Sequence, residues 1–311
     1  MQRMPGSYPS STPYCQVFEQ YHLNHNLGHG AFGIVSQVTE NATGKVYARK
    51  QIELPKGQDW IKFRNSIVHE VNNMRIVACA HTVNVENFHE VEMQAVQIYM
   101  TPVADGDLKK ILEGWVKDQY PKLNAETVYS WFGCLFQALE FVHNKDVVHK
   151  DIKPSNILIK DEKIYLADFG LSRSFEGGSS WTRGEFAGTP EYQAPEYVNG
   201  QKHGRSVDIF ALGCVFSEIL TTLRNKDLDE FKEKRYVREI PEIQFKVYSF
   251  HRNIKWVEEW VEGLNGNEID NFLVGAILGM LKFDTNERKL LAKQALMDLK
   301  SWKKLRCVHG C

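Results

Sequence analysis

The sequence is poor in the features that would place it in a specialised class. Its six cysteines, Cys15, Cys79, Cys134, Cys214, Cys307 and Cys311, are scattered, and none forms a Cys-x-x-Cys pair. That spacing offers neither a zinc site nor a disulfide framework and points to a reducing, intracellular setting, cytoplasmic or nuclear. There is no excess of either charge: 38 Lys and Arg stand against 39 Asp and Glu, for a formal net charge of −1. Nothing global therefore recommends nucleic acid or a membrane as a partner. Long apolar runs are also missing. The longest, "FLVGAILGML" at 272–281, is too short to cross a bilayer and reads as a buried helix. The opening "MQRMPGSYPSSTPY" lacks the apolar core of a secretory signal. Rich in Pro and Ser, residues 1–15 read as a disordered tail, and 306–311 as a second short tail.

What remains is an ordinary globular composition. With 43% hydrophobic and 25% charged residues, 311 residues can bury a sizeable core in one large domain or two medium ones. From about 20 to 52 the pattern is strand-like, with "YHLNHNLGHGAFGIVSQVTE" and "KVYARKQIEL" on either side of the turn segment "NATG". A helix is expected over about 60–79, with Ile67, Val71, Met74 and Ala78 on one stripe, then strands near 88–92 and 96–101. Beyond "ADGD" the chain turns helical, in "AETVYSWFGCLFQALEFVHN" and in the apolar stretches 206–222 and 268–282. A small strand-rich part with one helix thus precedes a larger helical part, the two meeting near residue 102.

Within the second part, "VVHKDIKPSNILI" at 147–159 sets a polar knot between two apolar ends. Left unpaired inside a fold, each charge of that knot would cost several kcal/mol. A polar loop between strands is one reading. A site where Asp151 takes a proton, Lys153 steadies a negative group and Asn156 holds a cation is the other. Four further signals are each weak alone. "LGHGAFGIV" spaces Gly28, Gly30 and Gly33 so that backbone N–H groups can approach phosphate, though glycine-rich hairpin turns are common. Lys50 lies on a strand, and Glu70 lies within the apolar stripe of the first helix, where an acid asks for a cation. "LADFG" ends a strand in Asp168, which with Asn156 offers oxygen donors to a hard cation such as Mg2+. "GTPEYQAPE" at 188–196 reads as an ordered loop.

Taken in order, these signals resemble the eukaryotic protein kinase superfamily, serine/threonine type, from about residue 20 to 302. The resemblance rests on Gly28-x-Gly30-x-x-Gly33-x-Val35, Ala48-x-Lys50, Glu70, His149-Lys150-Asp151-x-Lys153-x-x-Asn156, Asp168-Phe169-Gly170 and Ala194-Pro195-Glu196. It implies an α+β, bilobal fold: a β-rich small lobe with one helix at 16–102 and a mainly helical large lobe at 103–305. It implies ATP and Mg2+ as cofactors, a protein substrate, and a monomer. The glycine loop would cover the phosphates, with Leu27 beside it. Lys50 would grip the α- and β-phosphates and Glu70 would orient it. Asp151 would be the base, Lys153 would steady the transferring phosphoryl group, and Asn156 and Asp168 would hold the metal. Met100 falls at the gatekeeper position. Thr101 and Val103 would bond adenine, with Pro102 between them. Val35, Ala48 and Leu158 would sandwich the ring, and Asp107 would reach the ribose.

The same resemblance pairs Glu196 with Arg288, sets Asp208 to brace the catalytic loop, stacks His149 and Phe169 with Met74, and bonds Thr189 to Asp151 and Lys153. Two rival functions follow from it. A binding-only relative would lack Lys50, Asp151, Asn156 or Asp168, and all four are present; a small-molecule kinase would lack "GTPEYQAPE". Three positions depart from the family pattern. Lys150 replaces the usual arginine, Glu185 stands where a phosphothreonine is usual, and Ser155 stands where several basophilic kinases carry an acid. A Glu185–Lys150 pair would give partial activity without phosphorylation, although Ser179, Ser180 and Thr182 are alternative sites. The charged, aromatic stretch 222–266 has two readings, a set of solvated helices, which its composition favours, or a docking surface for a partner.

Overall fold

The computed structural model describes residues 20–30, 33–57, 60–92, 94–115, 123–170, 173–174, 189–201, 204–237, 247–299 and 301–305. The two tails and Glu185, with Ser179, Ser180 and Thr182, lie outside the described residues. Contacts divide the chain into one unit of residues 1–78 and 83–104, and another of 79–82 and 105–311.

The first unit is a five-stranded antiparallel sheet of β1 (Tyr21–Gly30), β2 (Gly33–Glu40), β3 (Val46–Glu53), β4 (Asn84–Val91) and β5 (Ala95–Thr101), in the order β1-β2-β3-β5-β4. Strand alternation sorts its residues. Ile52, Val96 and Ile98 pack with Ile67 and Val71 of helix α1 (Trp60–Ile76). On alternate positions Tyr47 and Tyr99 join Tyr21, whose ring stacks on Tyr99 at 4.1 Å. The helix ends three residues earlier than its pattern suggests. Val77, just past its end, is buried, and Ala78 is exposed. Strand β4 starts at Asn84, ahead of the expected 88.

The second unit begins with β6 (Gly106–Asp107), α2 (Leu108–Trp115) and α3 (Ala125–Asn144). Asn124 starts α3 by accepting the Thr127 N–H at 2.8 Å. Next come β7 (Val147–Val148), the hairpin β8 (Ile157–Lys160) and β9 (Lys163–Leu166), and β10 (Arg173–Ser174), which pairs with β7. Helices α4 (Pro195–Val198), α5 (Arg205–Leu223) and α6 (Leu228–Glu233) lead to the short pair β11 (Tyr236–Val237) and β12 (Val247–Tyr248), then α7 (Ile254–Glu262), α8 (Glu268–Met280) and α9 (Thr285–Leu299). Helix α5 has the length and apolarity of a membrane span but is buried on nearly every side as the core helix of this unit.

Segment 222–266 is not a set of solvated helices. Phe231, Arg235, Phe250, Val257, Val261 and Leu264 within it are all buried. Its charge hid an inward-facing aromatic set.

Two helical glycines separate packing from propensity. A Cβ on Gly133, within α3, would fall 1.8 Å from the Leu305 carbonyl oxygen, whereas one on Gly275, within α8, would meet nothing within 4 Å. Gly133→Ala should therefore lose about 1–3 kcal/mol by overpacking. Gly275→Ala should gain about 1 kcal/mol from helix propensity. Urea midpoints of the two variants check both signs.

Candidate active site

In the first unit, the antiparallel register sets Gly30 opposite Gly33 and Gly28 opposite Val35. Gly28 and Gly33 are glycine for different reasons. A Cβ on Gly33 would lie 2.0 Å from the Gln51 carbonyl oxygen, so close strand approach alone demands glycine there. A Cβ on Gly28 would touch nothing within 4 Å, so packing does not demand glycine. The space beside that backbone suits a ligand group. Leu27 and Val35 are half-buried and Ala48 is buried. Lys50, on β3, is 8% exposed, and its Nζ donates to Glu70 Oε1 of α1 at 3.2 Å. Both charges are thus enclosed and mutually compensated. Met100 packs against the cluster that joins the sheet to α1. The Thr101 hydroxyl donates to Glu86 at 2.7 Å, and Val103 is half-buried beyond the strand. A bidentate ion pair from Arg64 to Glu90 ties α1 to β4, and so helps to hold Glu70 at the sheet.

In the second unit, the loop after β7 gathers the polar knot. Asp151 Oδ1 accepts both the N–H and the hydroxyl of Thr189, each at 3.0 Å. Its Oδ2 accepts Asn156 Nδ2 at 2.8 Å and lies 2.8 Å from Lys153 Nζ. Lys153 also donates to the Thr189 hydroxyl at 2.6 Å. Burial pushes the Asp151 carboxyl up, but the bond and charge of Lys153, with the Thr189 bond, outweigh it and hold the group below its ordinary value. Asp151 is therefore ionised at neutral pH.

The loop keeps its shape through Asp208 at the start of α5, which is 1% exposed. Its two oxygens accept the consecutive N–H groups of His149 and Lys150, each at 2.8 Å, and Oδ2 also meets His143 Nε2 at 2.8 Å. This clamp supports Lys150 at a φ of 70°, in the left-handed region. His149 accepts the Asp151 N–H on Nδ1 at 3.3 Å and donates from Nε2 to the Ala167 carbonyl at 3.0 Å. Its ring lies 4.5 Å from that of Phe169.

The β8–β9 hairpin brings the two remaining donors together. Ile157 pairs with Leu166, and the Ala167 N–H donates to the Asn156 carbonyl at 2.9 Å. Asn156 and Asp168 therefore flank the same end of one hairpin. The Asn156 amide nitrogen is engaged by Asp151, which leaves its hard amide oxygen for a cation. Among the described residues no cluster of three or more His, Cys, Asp or Glu side chains could hold a metal alone. Two protein oxygens completed by phosphate are the usual Mg2+ set, so the residues present fit that ion. Leu158 pairs in register with Asp107, which caps α2 by accepting the Lys110 N–H at 3.0 Å. That cap is a sufficient structural reason for Asp107.

After Thr189, the segment to Ala194 forms a platform fixed to the core. Glu196 is buried and pairs with Arg288 at 2.6 Å and with the Ser206 hydroxyl at 3.0 Å. Residues 79–82, which follow α1 in the chain, belong to the second unit: His81 bonds the Ile164 carbonyl through Nδ1 at 2.8 Å and accepts the Leu166 N–H at 2.8 Å. Sequence reasoning missed this tether, His143 and Arg235. None sits in a recognisable spacing: His81 and His143 are isolated histidines beside apolar residues, and Arg235 lies inside a run of charges.

A small antiparallel sheet with one helix, an enclosed Lys–Glu pair, a braced Asp–Lys–Thr loop and an Asn/Asp hairpin end define a phosphoryl-transfer class of protein. The family model described as "Protein kinase domain" matches residues 21–298, and the chain belongs to that family. It is 34% identical over 210 residues to "Protein kinase 2" of Dictyostelium discoideum, covering 66% of this chain and 41% of that protein. It is 32% identical over 203 residues to "Serine/threonine-protein kinase Nek6" of Oryza sativa subsp. japonica, covering 65% and 36%. It is 31% identical over 205 residues to "Cell division control protein 2 homolog 3" of Trypanosoma brucei brucei, covering 65% and 63%. The aligned part therefore spans less than two thirds of each relative's own length.

The Asp208 clamp carries a pH signature. Burial pushes its carboxyl up, but the bond and charge of His143, then His149 and the Lys150 N–H, hold it below the ordinary value. A lowered carboxylate stabilises the fold fully above the unfolded value, about 3.9, and that stabilisation is lost as pH falls through the lower folded value. Asp208→Asn should cost about 3 kcal/mol at pH 7, since it weakens charged bonds and leaves His143 without its anion. Urea titrations should show the gap between wild type and variant narrowing as pH drops below about 5. A gap that widens on acidification would sink this assignment.

Proposed function

We propose that the chain is an ATP-dependent protein kinase that transfers the γ-phosphate to serine or threonine hydroxyls of protein substrates. The observation that carries this reading is the Asp151 carboxylate, ionised and held between Lys153, Thr189 and Asn156. Phosphoryl transfer needs positioning and charge neutralisation more than covalent chemistry, and this arrangement supplies both. Asp151 orients the acceptor hydroxyl and takes its proton. Lys153 steadies the phosphoryl oxygens. Lys50, set by Glu70, grips the α- and β-phosphates, and the backbone near Gly28 covers them. Asn156 and Asp168 would hold Mg2+, which would supply charge neutralisation at the phosphates. In the first unit, Val35, Ala48 and Met100 supply apolar surface for adenine.

The acceptor follows from Thr189 and Lys153, whose mutual bond is the serine/threonine pattern, and the name of the rice relative supports it. The platform after Thr189 supports a protein acceptor over a small molecule. The Glu185–Lys150 reading stays a proposal of partial activity without phosphorylation.

The test is a radiolabelled ATP assay on an arrayed peptide library, followed by phosphoamino-acid analysis. Phosphoserine and phosphothreonine are expected. Asp168→Asn should lower turnover by a factor of about 10³ or more, since it removes charge neutralisation at the transferred group. Its melting temperature should stay near that of the wild type. Turnover near wild type in Asp168→Asn, or mostly phosphotyrosine, would overturn the reading.

A further inference from the structure

The segment between α5 and α8 has no part in the transfer chemistry, yet it sends one arginine into the interior. Arg235, between α6 and β11, is 1% exposed. Its guanidinium carbon lies 4.5 Å from the ring centre of Phe231 and 3.9 Å from that of Phe250, and both rings are fully buried. Nη1 and Nη2 each donate to Glu218 Oε1 of α5 at 3.1 Å, and Nη2 lies 3.4 Å from Glu191 Oε1. The Tyr192 hydroxyl donates to Glu218 Oε2 at 3.0 Å. The main chain repeats the link: the Phe250 N–H donates to the Glu191 carbonyl at 3.2 Å. The Arg235 carbonyl is itself held by the Ser249 N–H and by Asn253 Nδ2, each at 2.9 Å.

Glu191 and Tyr192 belong to the platform that starts at Thr189, the residue bonded twice to Asp151. Tyr192 also lines, with Asp151, Thr189 and Ala194, a small open cleft beside the proposed base. An enclosed guanidinium is a poor device for stability, because its desolvation offsets its attraction and a well-packed apolar group does as well. What a planar fork between two carboxylates does supply is a fixed geometry. The two rings stand nearly perpendicular to each other, at 76°, and flank the guanidinium on adjacent sides, which restricts how it can turn.

We propose that Arg235 is a positioning residue for the transfer reaction: an internal cation that gathers Glu218 and Glu191 and so sets the shape of the platform Thr189–Ala194 on which the acceptor peptide lies. This rests on the kinase reading. It gives segment 222–266 a role inside the domain. The fork matters as well as the charge, so lysine cannot replace it. Removal of the side chain leaves an acidic space in the corner formed by the two rings, which admits a free guanidinium ion.

The experiment compares wild type, Arg235→Lys, and Arg235→Ala with and without millimolar methylguanidinium. It records peptide KM, ATP KM and amide exchange. Arg235→Lys should raise peptide KM at least fivefold and leave ATP KM within twofold. Exchange at the Tyr192 and Phe250 amides should quicken while α3 stays protected. Methylguanidinium should recover most of the loss in Arg235→Ala and do nothing for wild type. Should the alanine variant fail to fold, the lysine variant decides alone. Wild-type peptide KM and wild-type exchange at those two amides in Arg235→Lys would overturn the proposal. So would faster exchange spread evenly over residues 105–305, which marks a stability role only. If wild type phosphorylates no peptide, the kinase reading fails by itself, and amide exchange still decides whether Arg235 shapes the platform.

Discussion

The two oxygens of Asp208 hold two consecutive backbone N–H groups, and the site in the second unit depends on that clamp. A chain of L-residues resists φ near 70°, so the turn at Lys150 persists only because its surroundings over-determine it. With the turn fixed, His149 faces inward to the Ala167 carbonyl and Phe169, while Asp151 faces Thr189, Lys153 and Asn156. One buried acid thus decides which way a run of alternating residues points. Its own cost of burial is met by His143 and by main-chain donors, so the clamp uses no lysine or arginine that the chemistry needs.

Helix α5 carries a second enclosed acid, Glu218, ten residues further on. At 1.5 Å per residue the two lie about 15 Å apart along the axis. Asp208 serves the loop that holds Asp151, and Glu218 serves the platform through Tyr192 and Arg235. Thr189 joins the two systems, since it bonds Asp151 and opens the platform. A rigid apolar helix therefore sets the distance between the loop and the surface that follows it. Glu196, held by Ser206 of the same helix and by Arg288, adds a third attachment. Asp208 and Glu218 are each matched by several donors on both oxygens, the condition under which such groups can be enclosed, whereas Glu196 is held through Oε1 alone.

Much of this was legible because local pattern and chemistry coincide. The 2-residue and 3.6-residue periods place β1 to β3, α3 and α5 to within a few residues, and the polar knot 149–156 announces itself by lying between apolar ends. The pairs Glu196–Arg288 and Thr189–Asp151 span 92 and 38 residues, so no periodicity could give them; only family likeness did. Arg235 was illegible for the opposite reason. It sits in a run of charges that, as a string, cannot be told from a solvated helix, and only the fold shows that Phe231 and Phe250 close over it. Val77 in place of Ala78 is a smaller instance: once the helix ended at Ile76, its 3.6-residue period no longer applied.

The protonation state of Asp151 bears on what kind of catalyst the loop makes. A general base works best with a pKa near the operating pH, yet Asp151 is held below the ordinary carboxylate range. A carboxylate that already accepts four bonds is a weak proton acceptor and a strong orienting group. In a loose phosphoryl-transfer transition state the nucleophile needs little activation, and its hydroxyl proton becomes acidic only as the new bond forms. On the kinase reading, a low Asp151 pKa is therefore no defect. It keeps the group ionised at neutral pH and leaves proton transfer to follow bond formation. The same bonds to Lys153 and Thr189 that lower the pKa also fix the angle at which an acceptor hydroxyl is presented, so basicity is exchanged for aim.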